Sequence, residues 1–561
     1  MIRSHRGHRS ATRLPSLLAM AGAFTMATAA RRAPAQEPRP YRPAFDVSDY
    51  AISIDLPDTG STIHATTVIT LSKMSSADTL RLDLLDLKVN HVSVDGRLTR
   101  FTQTDSGLVI PLPRKAGRAP VYSVSVDYGG AVTDGLIVRT DSAGRWTYFG
   151  DNWPNRARHW IPSIDHPSDK ATVTWRVTAP IGRTVVANGK LESSRGVLGA
   201  DGTERMEWVW RESRRIPVYL MVIAAAPLVE LDLGDTDCGL AELQRCVPQS
   251  VYTAPEQRDF VPGPFARAGE IVQFFSNLIG PFPYEKLAHV QSSTRFGGME
   301  NASEIFYSDA GFRRHTLTDE TIAHETAHQW FGDAVTERDW PQLWLSEGFA
   351  TYFAALWERA ARGDSAFHAR MSSIRDAVIA DSTSVPLRPV IDTAEKNLLA
   401  LLDRNSYEKG GFVLHMLKQQ VGERAFFEGI RQYYAHHRHA TATTEDLRAE
   451  MERASKQTLG WFFNQWLERP GFPEVTATWS YDSTAHDVTV ALSQSSRFGA
   501  YQFPLTVAVV DSSGGQHRTS TRLSAEYPSP QLRIPSASAP ARIVLDPDVE
   551  VLASFKVVPP Q

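Results

Sequence analysis

The sequence predicts a multidomain α+β chain with an N-terminal antiparallel β domain, a mostly helical domain and a C-terminal β-sandwich. Three observations carry this. Residues 44–230 are dominated by short runs of alternating apolar and polar residues, the period-2 signature of half-buried strands. Near Pro255 the apolar spacing changes to three and four, the signature of amphipathic helices. After Arg469-Pro470-Gly471 the alternation returns for about 90 residues. A chain of 561 residues has room for roughly three to four domains of about 150 residues. Its 42% hydrophobic and 22% charged residues exclude disorder, collagen-like repeats and a multi-span membrane protein. A net charge of -4 gives no sign of a nucleic-acid binder.

Residues 1–35 read as a secretory signal peptide. They hold six arginines and no acid, an uncharged stretch from Leu14 to Ala30, and Ala33-Pro34-Ala35 before Gln36. The competing reading is a membrane anchor, but the stretch is short and Ala/Thr-rich against the ~20 apolar residues a span needs. Cleavage would leave an exported protein, periplasmic or secreted, with no later membrane span. The formal charge would then fall from -4 to -10. Residues 36–254 form the β domain, with runs such as Tyr50 to Asp55, Thr66 to Leu71, Leu80 to Leu85 and Tyr122 to Asp127. The only two cysteines, Cys238 and Cys246, lie close together. In an oxidising compartment they can staple a loop as a disulfide; the alternative is a pair of free thiols. Two thiolates alone do not fill a zinc shell.

Residues 255–470 carry the helices. Phe265 to Ile279 spaces its apolar residues helically and stops at Gly280-Pro281. Further helical patterns cover 318–332, 342–361, 397–420 and 443–455. Residues 471–561 form the C-terminal sandwich, where Val475, Ala477, Trp479 and Tyr481 alternate, as do Leu505, Val507 and Val509.

The chemistry concentrates in His324-Glu325-Thr326-Ala327-His328. Histidines at i and i+4 share one helix face and can bind a single metal ion. Glu325 sits about 100° round the helix, beside the metal rather than on it. Catalytic zinc needs a third protein ligand and an open fourth position. Glu347 opens the next helical pattern nineteen residues after His328, where an antiparallel helix can aim it at the metal. The competing role for Glu347 is an N-terminal helix acid favoured by the macrodipole. Two imidazoles favour zinc over magnesium or calcium.

His-Glu-x-x-His, eighteen residues and then Glu resembles the gluzincin metallopeptidases. Gly297-Gly298-Met299-Glu300-Asn301 and Tyr407-Glu408-Lys409-Gly410 resemble the G-x-M-E-N and Y-x-K-G segments of the aminopeptidase N family. Trp330 to Asp333 and Leu343 to Ala350 also fit its pattern, and Ala157 to Pro167 resembles a segment of its N-terminal domain. The resemblance implies a thermolysin-like fold for 255–470. It also implies one Zn2+ ion on His324, His328 and Glu347, and peptide substrates with a free N-terminus. Larger relatives end in a long helical domain, which this chain replaces with strands, so a short form with a more open cleft is expected.

Roles follow from that set. Glu325 would take the proton of the attacking water and pass it to the leaving amine. Tyr407 would stabilise the oxyanion; its alternative is a core tyrosine. Glu300 would hold the substrate α-ammonium, which an internal peptide lacks, and so select exopeptidase cleavage. Gly297 and Gly298 would approach the substrate backbone closely, with Ala288 to Ser293 as a candidate sheet edge and Met299 near the first side-chain pocket. Where relatives often carry a glutamine, this chain has Asp151, either a second amine anchor or a turn residue with Asn152. Competing functions are an endopeptidase, a bifunctional hydrolase that also opens an epoxide, and an inactive peptide-binding protein.

Overall fold

A computed structural model describes residues 44–559 apart from 118, 200, 237–246 and 513. The expected leader and the Cys238–Cys246 pair lie outside the described residues. The alternating runs of the first half form an eight-stranded sheet. Its order is Lys190–Leu198, Glu204–Pro217, Lys170–Pro180, Phe45–Asp55, Thr62–Lys73, Val121–Ala131, Lys88–Val94 and Arg97–Leu98. Neighbours are antiparallel except Phe45–Asp55 with Lys170–Pro180. Alternation buries one face: Tyr50, Ile52 and Ile54 are inside while Ser53 and Asp55 are out. Trp160 and Trp175 stack in this core with ring centroids 5.6 Å apart.

The helices follow as α1 (Ala268–Leu278), α2 (Asp309–Arg313), α3 (Asp319–His328), α4 (Trp344–Arg362), α5 (Asp364–Ala380), α6 (Gly410–Val421), α7 (Glu423–His437), α8 (Thr444–Ser455) and α9 (Gly460–Leu467). No helix among the described residues is long and apolar enough to cross a membrane. The C-terminal strands form two sheets, one of four strands and one of three. Val475, Ala477, Val488 and Val490 of the first are buried, as are Leu505, Val507 and Val509 of the second.

Two features differ from the sequence reading. A five-stranded sheet runs Val229–Thr236, Val247–Thr253, Leu287–Ser292, Glu304–Ser308, Gly298–Met299. It crosses the expected boundary at 254/255, because Val247–Thr253 pairs in parallel with Leu287–Ser292. The strand expected at the sheet edge, within 288–293, is interior and buried throughout; the edge is the short strand Gly298–Met299. The helical pattern expected over 397–420 is also broken. Leu398–Leu401 makes a single 3-10 turn, and a wide five-residue turn, Asn405–Lys409, leads into α6. Asp403 starts that turn by accepting hydrogen bonds from the N–H groups of Asn405 (2.9 Å) and Ser406 (3.2 Å).

α4 and α6 meet where neither has side chains. A Cβ on Gly348 would lie 2.8 Å from the Gly410 carbonyl carbon and 3.0 Å from its Cα, closer than packed atoms approach. Gly348 follows Glu347, and Gly410 lies three residues after Tyr407, so this crossing sets the separation of those two side chains. Gly348→Val should destabilise the fold by about 1–3 kcal/mol through overpacking, read as a lower urea midpoint. An unchanged midpoint would rule out so close a crossing.

The β domain also plugs into the helical one. Lys170 is buried, and its Nζ donates to the carbonyls of Asp333 (2.8 Å), Ala334 (3.0 Å) and Ala440 (3.2 Å) and to Thr336 Oγ1 (2.9 Å). Burial lowers its pKa to about 7, against the opposing pull of Asp333 and Glu337.

Candidate active site

Thr318 caps α3 by accepting from the Thr321 N–H (3.3 Å), and Asp319 and Glu320 fill the first turn. That start puts His324 and His328 on one face and Glu325 beside it. α4 packs against α3 and delivers Glu347 from its own first turn. Three donor atoms converge: His324 Nε2 to His328 Nε2 is 3.2 Å, His328 Nε2 to Glu347 Oε2 is 3.3 Å, and His324 Nε2 to Glu347 Oε2 is 3.5 Å. A tetrahedral ion with bonds of about 2.0–2.1 Å has ligand–ligand edges of about 3.3–3.4 Å. The triangle therefore fits zinc. Glu347 Oε2 is a buried carboxylate oxygen with no hydrogen-bond donor among the described residues.

The imidazoles are oriented from behind. His328 Nδ1 faces the Phe331 carbonyl (3.2 Å) and Ser346 Oγ (3.0 Å), which leaves Nε2 for a metal. His324 lies parallel to the Tyr407 ring at 6.1 Å. The Tyr407 hydroxyl donates to Glu347 Oε1 at 2.7 Å.

Two further carboxylates close in. Donor atoms of Glu300, Glu325 and His328 lie within 4.8 Å of one another, all three residues buried. Gly298, on the edge strand, backs directly onto Glu325; a Cβ there would collide with the Glu325 carboxylate. Gly297 has open space at the corresponding point. Met299 is buried and pairs with Phe306. So the structure brings the expected Glu300, Glu325 and Gly298 to the histidine pair.

The electrostatics favour a bound cation. Burial alone would lower the His328 pKa, yet Glu300 and Glu347 raise it to about 10. Burial pushes the Glu325 carboxyl well above its usual range, with Glu300 and Glu347 adding to it and His328 opposing. Burial and then Glu347 hold the Tyr407 phenol well above its usual value, so it remains an O–H donor.

Asp151 is placed differently from the expected amine anchor. It is fully buried, and two guanidiniums take its charge: Arg156 Nη2 at 2.8 Å and Arg295 Nε at 3.4 Å. Both arginines also reach Asp134, at 3.1 and 2.5 Å. The four charges alternate in a ring that ties the β domain to the loop before Gly297. A carboxylate held by two cations has little charge left for an ammonium. Its neighbour Asn152 donates to the Met221 carbonyl (2.7 Å) and accepts from Trp160 Nε1 (2.8 Å). Trp153 packs edge-on against Phe296 and Trp340.

Sequence reasoning missed the residues that hold these groups in place. Ser346 precedes Glu347, and Gln329 and Asp333 border or end the stretch Trp330 to Asp333, so their positions were visible but not their roles. Asn188, which donates to the Ala302 carbonyl just past Glu300 (2.7 Å), carries no sequence signal at all.

Comparison with known proteins agrees with this arrangement. Residues 46–220 match the model of the peptidase M1 N-terminal domain, and 265–466 that of the peptidase family M1 domain, between them more than half of the chain. Aminopeptidase N of Streptomyces lividans is 26% identical over 458 residues, covering 78% of this chain and 52% of that protein. A probable aminopeptidase 2 of Sulfurisphaera tokodaii is 26% identical over 426 residues, covering 72% and 51%. The chain thus spans about half the length of these curated relatives. The M1 zinc metallopeptidase of Deinococcus radiodurans has a similar fold, with TM-score 0.66 and 24% identity, over 76% of this chain and 94% of that one. So has an aminopeptidase A of Legionella pneumophila, with TM-score 0.77 and 17% identity, over 93% and 61%.

Proposed function

The chain belongs to peptidase family M1, and from that premise we propose that it is a zinc-dependent aminopeptidase removing N-terminal residues from peptides. The observation that carries this is the buried Glu300 carboxylate, within 4.8 Å of both His328 and Glu325. It offers a fixed anionic end to a cleft that a free α-ammonium can neutralise. An internal peptide would leave that charge desolvated and unpaired.

His324, His328 and Glu347 would hold the zinc, which when bound would supply Lewis-acid chemistry for a water and the scissile carbonyl. Glu325 accepts the proton of the attacking water and hands it to the departing amine, so the C–N bond breaks without releasing a free amide anion. Tyr407 turns its O–H toward the oxyanion. Glu300 holds the ammonium, and the edge strand that starts at the half-buried Gly298, after the exposed Gly297, pairs with the substrate as an added strand. A D. radiodurans M1 variant has been crystallised with a Tyr-Ser-Ala peptide, which supports peptides as the substrate class. We infer from the basic and then apolar leader that the enzyme is exported, periplasmic or secreted.

The deciding experiment compares an aminoacyl amide with its N-acetyl twin. Only the free-amine form should be cleaved, and equal rates would overturn the reading. Tyr407→Phe should lower kcat about 10²–10³-fold with little change in KM, the usual cost of losing one oxyanion donor. A raised KM at normal kcat would instead make Tyr407 a binding group.

A further inference from the structure

We propose that Gln329 is the positioning residue that fixes Glu300 relative to the metal-binding histidines and so sets which bond is cut; this rests on the aminopeptidase reading above. Gln329 directly follows His328 and caps the end of α3. Its side chain is fully buried. Nε2 donates to the Glu300 carbonyl (2.9 Å) and to Asp333 Oδ2 (2.8 Å), while Oε1 accepts from the Ser303 N–H (2.8 Å). One amide thus grips the loop 300–303 at both ends.

Its orientation is not interchangeable. Flipping the amide would set its oxygen against the Asp333 carboxylate and its NH2 against the Ser303 N–H, two repulsive contacts in a buried site. The loop needs such a grip, because Ser303 is held at φ +61°, a left-handed conformation that non-glycine residues rarely adopt. The β domain steadies the same loop from the other side, where Gly189 N donates to Ser303 Oγ (2.7 Å) and Asn188 donates to the Ala302 carbonyl. Among the described residues, the hydrogen bonds that tie this loop to the end of the histidine-bearing helix come from Gln329, while Gly298 on the strand before it packs against Glu325. The placement of Glu300 against the histidines therefore runs in large part through the Gln329 amide. A shift of about 1 Å in such a site can cost about 100-fold.

The test uses two probes on the zinc-loaded protein: leucine hydroxamate and its des-amino twin, 4-methylpentanohydroxamic acid. Both offer the same chelating group, so the ratio of their calorimetric affinities isolates the ammonium contact. Wild type should prefer the amine form, and Gln329→Met should reduce that preference about tenfold, with the twin's affinity and the zinc content unchanged. Gln329→Glu, which keeps the acceptor for Ser303 but loses both donors, should show the same fall and serves if the first variant does not fold. A preserved ratio in these variants, or equal weakening of both probes, overturns the inference. No preference in wild type overturns the aminopeptidase reading itself, and the inference with it.

Discussion

Replacing Glu325 with Gln should lower kcat about 1000-fold, within the range that a positioned general base contributes, while zinc stays bound. The amide keeps the shape of the carboxylate, so its contact with Gly298 survives. The metal donors His324, His328 and Glu347 are untouched. What disappears is the group proposed to accept the water's proton. On the proposed mechanism no other carboxylate of the described site replaces it, since Glu347 is turned to the two imidazoles and Tyr407 and Glu300 would hold the substrate ammonium. Metal analysis must accompany the kinetics. Full turnover with zinc present would refute the assignment of Glu325 as base.

Removing the metal should abolish activity and lower the melting temperature together. The described site gathers three carboxylates, Glu300, Glu325 and Glu347, around His328 in a buried pocket. Without a dication their repulsion is offset only by protons. A ligand present at a thousand times its dissociation constant stabilises the folded state by about 4 kcal/mol. Stripping it should lower the melting point by a few degrees for a chain of this size, and added Zn2+ should restore both properties. Glu347→Gln should reproduce both losses without a chelator. Activity persisting in protein shown to be metal-free would contradict the mechanism.

Much of this site was legible in the sequence because its key spacings are local. His324 and His328 are one helical turn apart, so periodicity puts them on one face, and Glu347 opens the next long helix, where antiparallel packing can aim it at them. Glu300 became legible only through its motif, because it lies in a loop just past the short strand Gly298–Met299, where no periodicity marks it. The sheet edge was misplaced for the same reason. The strand Gly298–Met299 is too short to alternate, whereas the interior strand Leu287–Ser292 reads as a clear run. Asp151 looked available because nothing periodic links it to Arg156, five residues on in a turn, or to Arg295, 144 residues away. The break at Asp403 was hidden by the leucines of 398–402 before it and the apolar run from Phe412 after it, although Leu399 points outward.

Lys170 bears on how the molecule can be divided. A buried Lys170 amine with four acceptors from the far half is a joint that cannot be opened cheaply: separation would break all four bonds and rehydrate the site. The strand that carries Lys170 and the turns that receive it therefore belong to one cooperative unit. The histidine-bearing half is not a portable module. Its catalytic geometry is the property of a folding unit that begins in the first sheet.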